Sequence, residues 1–296
     1  MPFLFPSITS ILINNNVWAE EGEKKDMAEQ LHGITVALAG PRKSEEMAKL
    51  VQNMGGTALH RPAQGTVFLD DEALREGLAS WTSHPPDLAI VTTGMGLDAL
   101  FAMAAQMNLE ERFLEVLSGS PIAARGYKTV NALKKRGLQP EVRDDDGSTS
   151  GLIRGLQGWE LRGKSVVLQL HGDPAPRLVA WLKETGASVR EVQPYLHTPP
   201  EPGALARLFA EITEGRVDAV AFTSAPQFRF LAQYAREQGK LKELVQAFED
   251  RVLAVSVGRI TSESLKEEGI TRIVMPEHER MGSMFVELGR YVAVHR

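Results

Sequence analysis

The sequence predicts an α/β protein of two similar domains, each a parallel sheet flanked by helices. Three observations carry this expectation: short runs with almost no polar residue, amphipathic helices between them, and a pattern of both that is written twice. Strands buried on both faces read as continuous apolar runs, and such runs occur at residues 34–39, 88–91, 166–170, 219–222 and 252–257. Between them, Met47, Leu50, Val51 and Met54 fall on one helical face at i, i+3, i+4 and i+7, with Gly55 as the stop. Leu178, Trp181 and Leu182 repeat that face in the second half.

The duplication is visible residue by residue. Gly33-Ile34-Thr35-Val36-Ala37-Leu38, followed by a helix closing at Gly55-Gly56, returns about 130 residues later as Gly163-Lys164-Ser165-Val166-Val167-Leu168 with its helix closing at Gly186. Asp87 and the run to Thr93 pair in the same way with Asp218 and the run to Ser224. The turn Ala124-Arg125-Gly126-Tyr127-Lys128-Thr129 pairs with Ser256-Val257-Gly258-Arg259-Ile260-Thr261, and the helices that follow close at Gly137 and Gly269.

Composition bounds the chemistry. A chain of 296 residues with 43% hydrophobic and 24% charged residues is long enough for a core that needs neither disulfide nor metal. With no cysteine, thiol nucleophiles, zinc ribbons, iron–sulfur ligation and disulfide frameworks are excluded together, and a reducing cytoplasm fits. Against 38 Asp and Glu stand 33 Lys and Arg, for a net charge of -5, with no basic stripe for nucleic acid. An anionic ligand must then be drawn by local cations and backbone N–H groups.

Residues 1–32 form an N-terminal extension. Its apolar run at 3–13 is too short to span a membrane, follows no basic residue and precedes no small-residue cleavage site, so neither a signal peptide nor a membrane partner is expected. Glu20-Glu21-Gly22-Glu23-Lys24-Lys25-Asp26 is encoded by purine-rich codons, as a translated ribosome-binding site would be, which makes Met27 the expected natural start.

In parallel sheets of this kind ligands bind at the carboxyl ends of the strands, where turns aim N–H groups at anions. Here those turns read Gly40-Pro41-Arg42-Lys43-Ser44, Thr92-Thr93-Gly94, Arg125 to Thr129, His171-Gly172-Asp173, Thr223-Ser224 and Gly258 to Thr261. Hydroxyls, glycines and cations suit carboxylate or phosphate groups. Thr129, Thr261 and Ser44 admit two readings, as helix caps or as ligand contacts; recurrence of the hydroxyl in both halves favours a site.

Gly94-Met95-Gly96-Leu97-Asp98-Ala99 also matches the dinucleotide fingerprint, with Arg125 available to a 2′-phosphate. The equivalent turn Thr223-Ser224-Ala225-Pro226 lacks glycine, so an NADP-binding enzyme is the weaker alternative and no cofactor is expected. The histidines form no H-x-x-x-H or H-E-x-x-H pattern, which leaves no metal site expected. There is no G-x-S-x-G elbow for Ser224 to occupy, and Gly163-Lys164-Ser165 precedes a strand and lacks the P-loop spacing.

Taken together, the duplicated strand–helix units, the Phe222-Thr223-Ser224 turn, the Val257-Gly258-Arg259-Ile260-Thr261 turn and the segment from Gly186 to Pro194-Tyr195 resemble the uroporphyrinogen-III synthase family from Gly33 onward. The resemblance implies that the domains are not the repeats: residues 33–62 join 196–296, residues 63–195 form the second domain, and a two-strand linker with Pro194, Pro199, Pro200 and Pro202 nearby lets the cleft between them open and shut.

It also implies a cofactor-free lyase of haem biosynthesis, a cytoplasmic monomer that cyclises the linear tetrapyrrole hydroxymethylbilane with loss of water and inversion of the D ring. Tyr195 matches the family tyrosine that assists departure of the hydroxyl; the other reading is a hinge aromatic packed for structure. Thr129 and Thr261 match cleft threonines, and Thr223 and Ser224 match the strand-end hydroxyl pair, with Thr93 at the corresponding turn. Arg42, Arg125, Lys128 and Arg259 are the cations expected to meet the acetate and propionate side chains. The chain departs from the family pattern at His171, where arginine is usual. A non-catalytic relative that binds an anionic metabolite in the same cleft is the remaining alternative.

Overall fold

A computed structural model describes residues 29–295; the apolar run at 3–13 and the start expected at Met27 lie outside the described residues. The strands are β1 (Thr35–Leu38), β2 (Thr57–His60), β3 (Gly65–Phe68), β4 (Leu88–Val91), β5 (Ile122–Ala124), β6 (Val142–Arg143), β7 (Ser165–Gln169), β8 (Ser188–Val192), β9 (Tyr195–Thr198), β10 (Ala219–Phe222), β11 (Leu253–Ser256) and β12 (Ile273–Val274). The chain divides into two compact units, one drawn from Met1–Gln64 with Pro199–Arg296 and the other being Gly65–Thr198.

In the first unit the strands run parallel in the order β12-β11-β10-β1-β2. Successive side chains of a strand point to opposite faces. Val36 and Leu38 accordingly enter a core with Met47, Val51, Phe285 and Leu288, while Ala37 enters one with Phe222, Phe228, Leu231 and Phe248. The helix Ser44–Asn53 buries Met47 and Val51, whereas Leu50, expected on the same face, is 37% exposed. The buried stripe runs through Met47, Val51 and Met54, and Leu50 sits on its edge. Residues 29–32, grouped with the extension on sequence, pack into this unit: Leu31 is fully buried in the core and its N–H donates to the Met54 carbonyl at 2.8 Å.

The second unit repeats the arrangement as β6-β5-β4-β7-β8, again parallel. Ala89, Val91 and Val167 face a core with Leu78, Trp81, Leu97 and Phe113, and Leu88, Ile90, Val166 and Leu168 face another with Leu152, Leu178 and Leu182. β3 and β9 add a small antiparallel pair, with Phe68 opposite Tyr195 and Gly65 opposite Thr198. The outer strands β2 and β8 are only partly buried, and their sequences Thr-Ala-Leu-His and Ser-Val-Arg-Glu-Val are correspondingly mixed.

The repeats are exchanged between the sheets. β1 and β2 correspond to β7 and β8, and β4, β5 and β6 to β10, β11 and β12, so each sheet takes two strands from one half of the chain and three from the other. The seams are β1–β10 and β4–β7. An aspartate closes each seam at its lower end. Asp218 accepts the N–H of Thr35 at 2.7 Å while its own N–H donates to the Thr35 carbonyl at 2.9 Å. In the other sheet Asp87 accepts the N–H and hydroxyl of Ser165 at 2.8 and 2.9 Å and the ammonium of Lys164 at 3.2 Å. The four glycines expected to end helices, Gly55, Gly137, Gly186 and Gly269, all adopt positive φ, the conformation such stops demand.

The bonds from Ser165, backbone first, together with Lys164, hold the Asp87 carboxyl at about 2. Because the folded state lowers this value, the clamp stabilises the protein above the ordinary aspartate value of about 4 and loses that contribution as pH falls toward about 2. Asp87→Asn is therefore expected to lower the melting temperature at neutral pH, with the gap to the parent closing across that interval. A gap that stays constant with pH in thermal melts would refute the clamp.

Candidate functional site

The residues singled out on sequence lie at the carboxyl end of the sheet in their own unit. In the first unit Arg42 follows β1, Thr223 and Ser224 follow β10, and Arg259 and Thr261 follow β11. In the second, Thr93 follows β4, Arg125, Lys128 and Thr129 follow β5, and Tyr195 opens β9 three residues after β8 ends.

The turn N–H groups, expected to await an anion, are in several cases already bonded to the protein. Those of Thr92 and Thr93 donate to Gln169 Oε1 at 3.0 and 3.1 Å, and that of Thr223 donates to Gln227 Oε1 at 2.8 Å. Gly126 N–H donates to Asp144, and Arg259 N–H to Glu279 at 3.2 Å. A buried backbone donor left without an acceptor costs about 1–3 kcal/mol, so the fold meets these ends with its own amides and carboxylates. Gln169 and Gln227, both buried, escaped the sequence reading. One signal was present: Gln169 is polar at the end of a run of buried apolar residues.

Capping does not explain Thr129 or Thr261. The helices Tyr127–Lys134 and Arg259–Glu267 have Gly126 and Gly258 at their N-caps, and both threonines are buried within the first turn. Ser44 likewise opens its helix after Lys43 without serving as a side-chain cap. Thr93 does cap, accepting the N–H of Gly96 at 3.2 Å.

The cations have protein partners of their own. Arg259 pairs with Glu279 at 3.3 Å, and the Lys128 ammonium lies over the Tyr127 ring at 5.9 Å. Arg42 is exposed in the turn after β1. Arg125 donates to Thr149 Oγ1 at 3.0 Å; burial pushes its guanidinium below the usual arginine value, while Tyr195 and Asp144 pull it upward. That coupling puts a guanidinium within electrostatic reach of the Tyr195 phenol.

Tyr195 itself is 1% exposed. Its ring meets Phe68 at 6.1 Å and His197 at 5.4 Å between centroids, and its hydroxyl lies 3.2 Å from Thr93 Oγ1. Gly172, at φ 87°, brings its backbone so close to Tyr195 and His197 that a side chain there would overlap both rings.

Packing explains the glycines of the apparent dinucleotide fingerprint. Gly94 and Gly96 lie in the first turn of the helix Gly94–Gln106. A Cβ on Gly94 would stand 2.7 Å from the Lys128 carbonyl oxygen, and one on Gly96 would enter the Gln169 amide. Both glycines therefore answer a close approach by the protein's own atoms. Among the described residues no three His, Cys, Asp or Glu side chains gather as a metal site, and no helix is long and apolar enough to cross a membrane.

This close approach is testable by stability alone. Gly96→Ala should cost about 1–3 kcal/mol, the range for overpacking a dense interior. Gly119→Ala, whose Cβ meets nothing within 4 Å, should instead change stability by less than about 1 kcal/mol and in the stabilising direction. Urea unfolding midpoints of the two variants measure the contrast, and equal effects would refute it.

Comparison with known proteins agrees with this architecture. Residues 45–286 match the family described as uroporphyrinogen-III synthase HemD. The uncharacterized protein YjjA of Bacillus subtilis (strain 168) is 45% identical over 265 residues, covering 90% of this chain and 98% of its own. A mutant uroporphyrinogen III synthase from the extremely thermophilic bacterium Thermus thermophilus superimposes with a TM-score of 0.74 at 32% identity, over 89% of this chain and 100% of that one. The uroporphyrinogen-III synthetase of Helicobacter pylori 26695 shares the fold at a TM-score of 0.52 and 14% identity, over 89% and 100% of the two chains. Two parallel sheets with exchanged repeats, hydroxyl-rich turns at the strand ends and a match over most of the length lead to one conclusion: the chain belongs to the uroporphyrinogen-III synthase family.

Proposed function

We propose that this protein is an active uroporphyrinogen-III synthase, a lyase that converts hydroxymethylbilane to uroporphyrinogen III and water without a cofactor. The observation that carries the reading is the Tyr195 hydroxyl 3.2 Å from Thr93, in electrostatic reach of the Arg125 guanidinium, at the carboxyl end of one parallel sheet. Departure of the substrate hydroxyl takes the C–O electron pair with it, and a phenol that donates its hydrogen turns the leaving group into water. A nearby guanidinium favours the phenolate that results. Inversion of the D ring passes through a spiro intermediate whose attacking carbon carries no hydrogen. The proton returns when the unsubstituted α-carbon of that ring, bonded in the rearrangement, sheds its hydrogen to regain aromaticity, so Tyr195 ends each turnover as it began. Because the phenol is 1% exposed, substrate binding has to uncover its oxygen.

Tyr195 need not supply most of the acceleration. One well-placed acid contributes about 10² to 10⁴-fold, whereas holding a flexible chain in its ring-closing shape is worth about 7–11 kcal/mol. We assign that holding to Thr129, Thr223, Ser224 and Thr261, and the substrate carboxylates to Arg42, Arg125, Lys128 and Arg259. Arg259 would have to exchange Glu279 for a substrate carboxylate. The two units are taken as the domains of a cytoplasmic monomer.

The decisive assay supplies porphobilinogen and its deaminase with and without this protein: a synthase shifts the product from isomer I to isomer III, and a binder leaves isomer I. Tyr195→Phe is expected to lower kcat by more than about tenfold, within the range for a single acid, while leaving measurable turnover. A rate equal to the parent's would remove Tyr195 from the mechanism.

A further inference from the structure

The hydrogen bonds around Thr93 are numerous enough to fix the direction of each one. Gln169 Oε1 accepts two backbone N–H groups, those of Thr92 and Thr93. A backbone N–H can only donate, so the amide cannot be turned the other way. Its Nε2 therefore donates, to Thr93 Oγ1 at 3.2 Å and to the Leu170 carbonyl. Thr93 Oγ1 also accepts the N–H of Gly96 at 3.2 Å. A hydroxyl oxygen has two lone pairs and one hydrogen. With both lone pairs engaged, the Thr93 hydrogen goes to its remaining close partner, the Tyr195 hydroxyl at 3.2 Å.

We infer that Gln169 and Thr93 are positioning residues that set the polarity of the Tyr195 phenol: Thr93 donates to Tyr195, and the phenol's own hydrogen is directed away from Thr93. This rests on the synthase reading for its chemical purpose. A phenol whose hydrogen was spent on Thr93 could not pass it to a leaving hydroxyl. One that accepts from Thr93 has its hydrogen turned toward other acceptors, the leaving hydroxyl among them once substrate is bound, and the accepted bond steadies the phenolate as the proton leaves.

Comparison of the two sheets supports a specific role rather than a general need of the fold. By strand register, the position equivalent to Gln169 in the first unit is Ala39, and that equivalent to Thr93 is Ser224. Ala39 offers no amide, and the Ser224 hydroxyl donates to Gln64 Oε1 at 2.8 Å. The turn of the first unit is held by Gln227 from the following helix instead. The duplicated scaffold thus folds without this relay, and carries it in the unit that contains Tyr195.

The test uses protein labelled with [ζ-¹³C]tyrosine, the Tyr195 signal being assigned by its loss in Tyr195→Phe. Gln169→Glu keeps the shape but presents a carboxylate, which accepts the Thr93 hydrogen and so takes it from Tyr195. Thr93→Val keeps the shape and removes the hydroxyl. Both are expected to move the Tyr195 resonance and to lower kcat by about tenfold or more with KM changed by less than about threefold, as for a group acting only on the chemical step. Thr93→Ser, which restores the hydroxyl, should recover most of the loss seen with valine. An unmoved Tyr195 resonance in folded Gln169→Glu or Thr93→Val overturns the assigned polarity. Resonances that move with kcat unchanged overturn its role in turnover. If the parent protein yields only isomer I, the synthase reading fails, while the resonance arm still decides the direction of the hydrogen bond.

Discussion

A buried peptide group in the middle of a sheet can find its partner only on the next strand, and at the centre of both sheets here that strand comes from the other half of the chain. The pairings β1–β10 and β4–β7 are the constraint on which the rest depends. Without them the chain holds only two-stranded and three-stranded pieces, too small to cover both of their apolar faces. Asp218 and Asp87 fasten these seams at equivalent places, which ties the register of the two halves to a charged side chain rather than to apolar contact alone. Apolar contact tolerates sliding; a carboxylate on one N–H does not.

The same burial explains why polar side chains gather where they do. Strands covered on both faces have no room for polar groups along their length, so those groups collect at the ends, where helices begin and N–H donors lack strand partners. Each unit meets that demand with its own side chains, some a single helical turn away and some far along the chain. Gln169 reaches across from β7, Gln227 from the following helix, and Asp144 and Glu279 from loops beyond the outermost strands. Each of these bonds fixes a backbone donor to a protein acceptor at the strand end, and fixed geometry is what a site working by orientation needs. Only in the second unit does the arrangement extend to a phenol.

The division between what the sequence discloses and what it conceals follows the range of the interactions. Strand interiors, helix faces and the stops at Gly55, Gly137, Gly186 and Gly269 are set by neighbours within a few residues, and periodicity displays them. The outer strands β2 and β8 were less visible because one side of each meets solvent and their residues alternate unevenly. The strand-end turns were found as locations, and Thr93 and Tyr195 came together there. Their bonding was not legible: the contact of Gln169 with Thr93 spans 76 residues, and no spacing rule links a glutamine to a turn in another repeat. Gly94 and Gly96 show the converse, a local pattern that imitates a nucleotide loop because the Lys128 carbonyl and the Gln169 side chain need the room.

The exchange of strands between the halves carries a consequence for the history of the molecule. Either half, taken alone, encodes all five strand positions of one sheet, but as a pair and a trio separated by a crossover. A half-length polypeptide could therefore complete its sheets by trading pairs with an identical copy, in the manner of a closed two-fold dimer. Fusion of two such genes would join the partners end to end without altering a single pairing. Freed from the requirement that both copies be alike, one half could then acquire an amide and a phenol that its twin never needed.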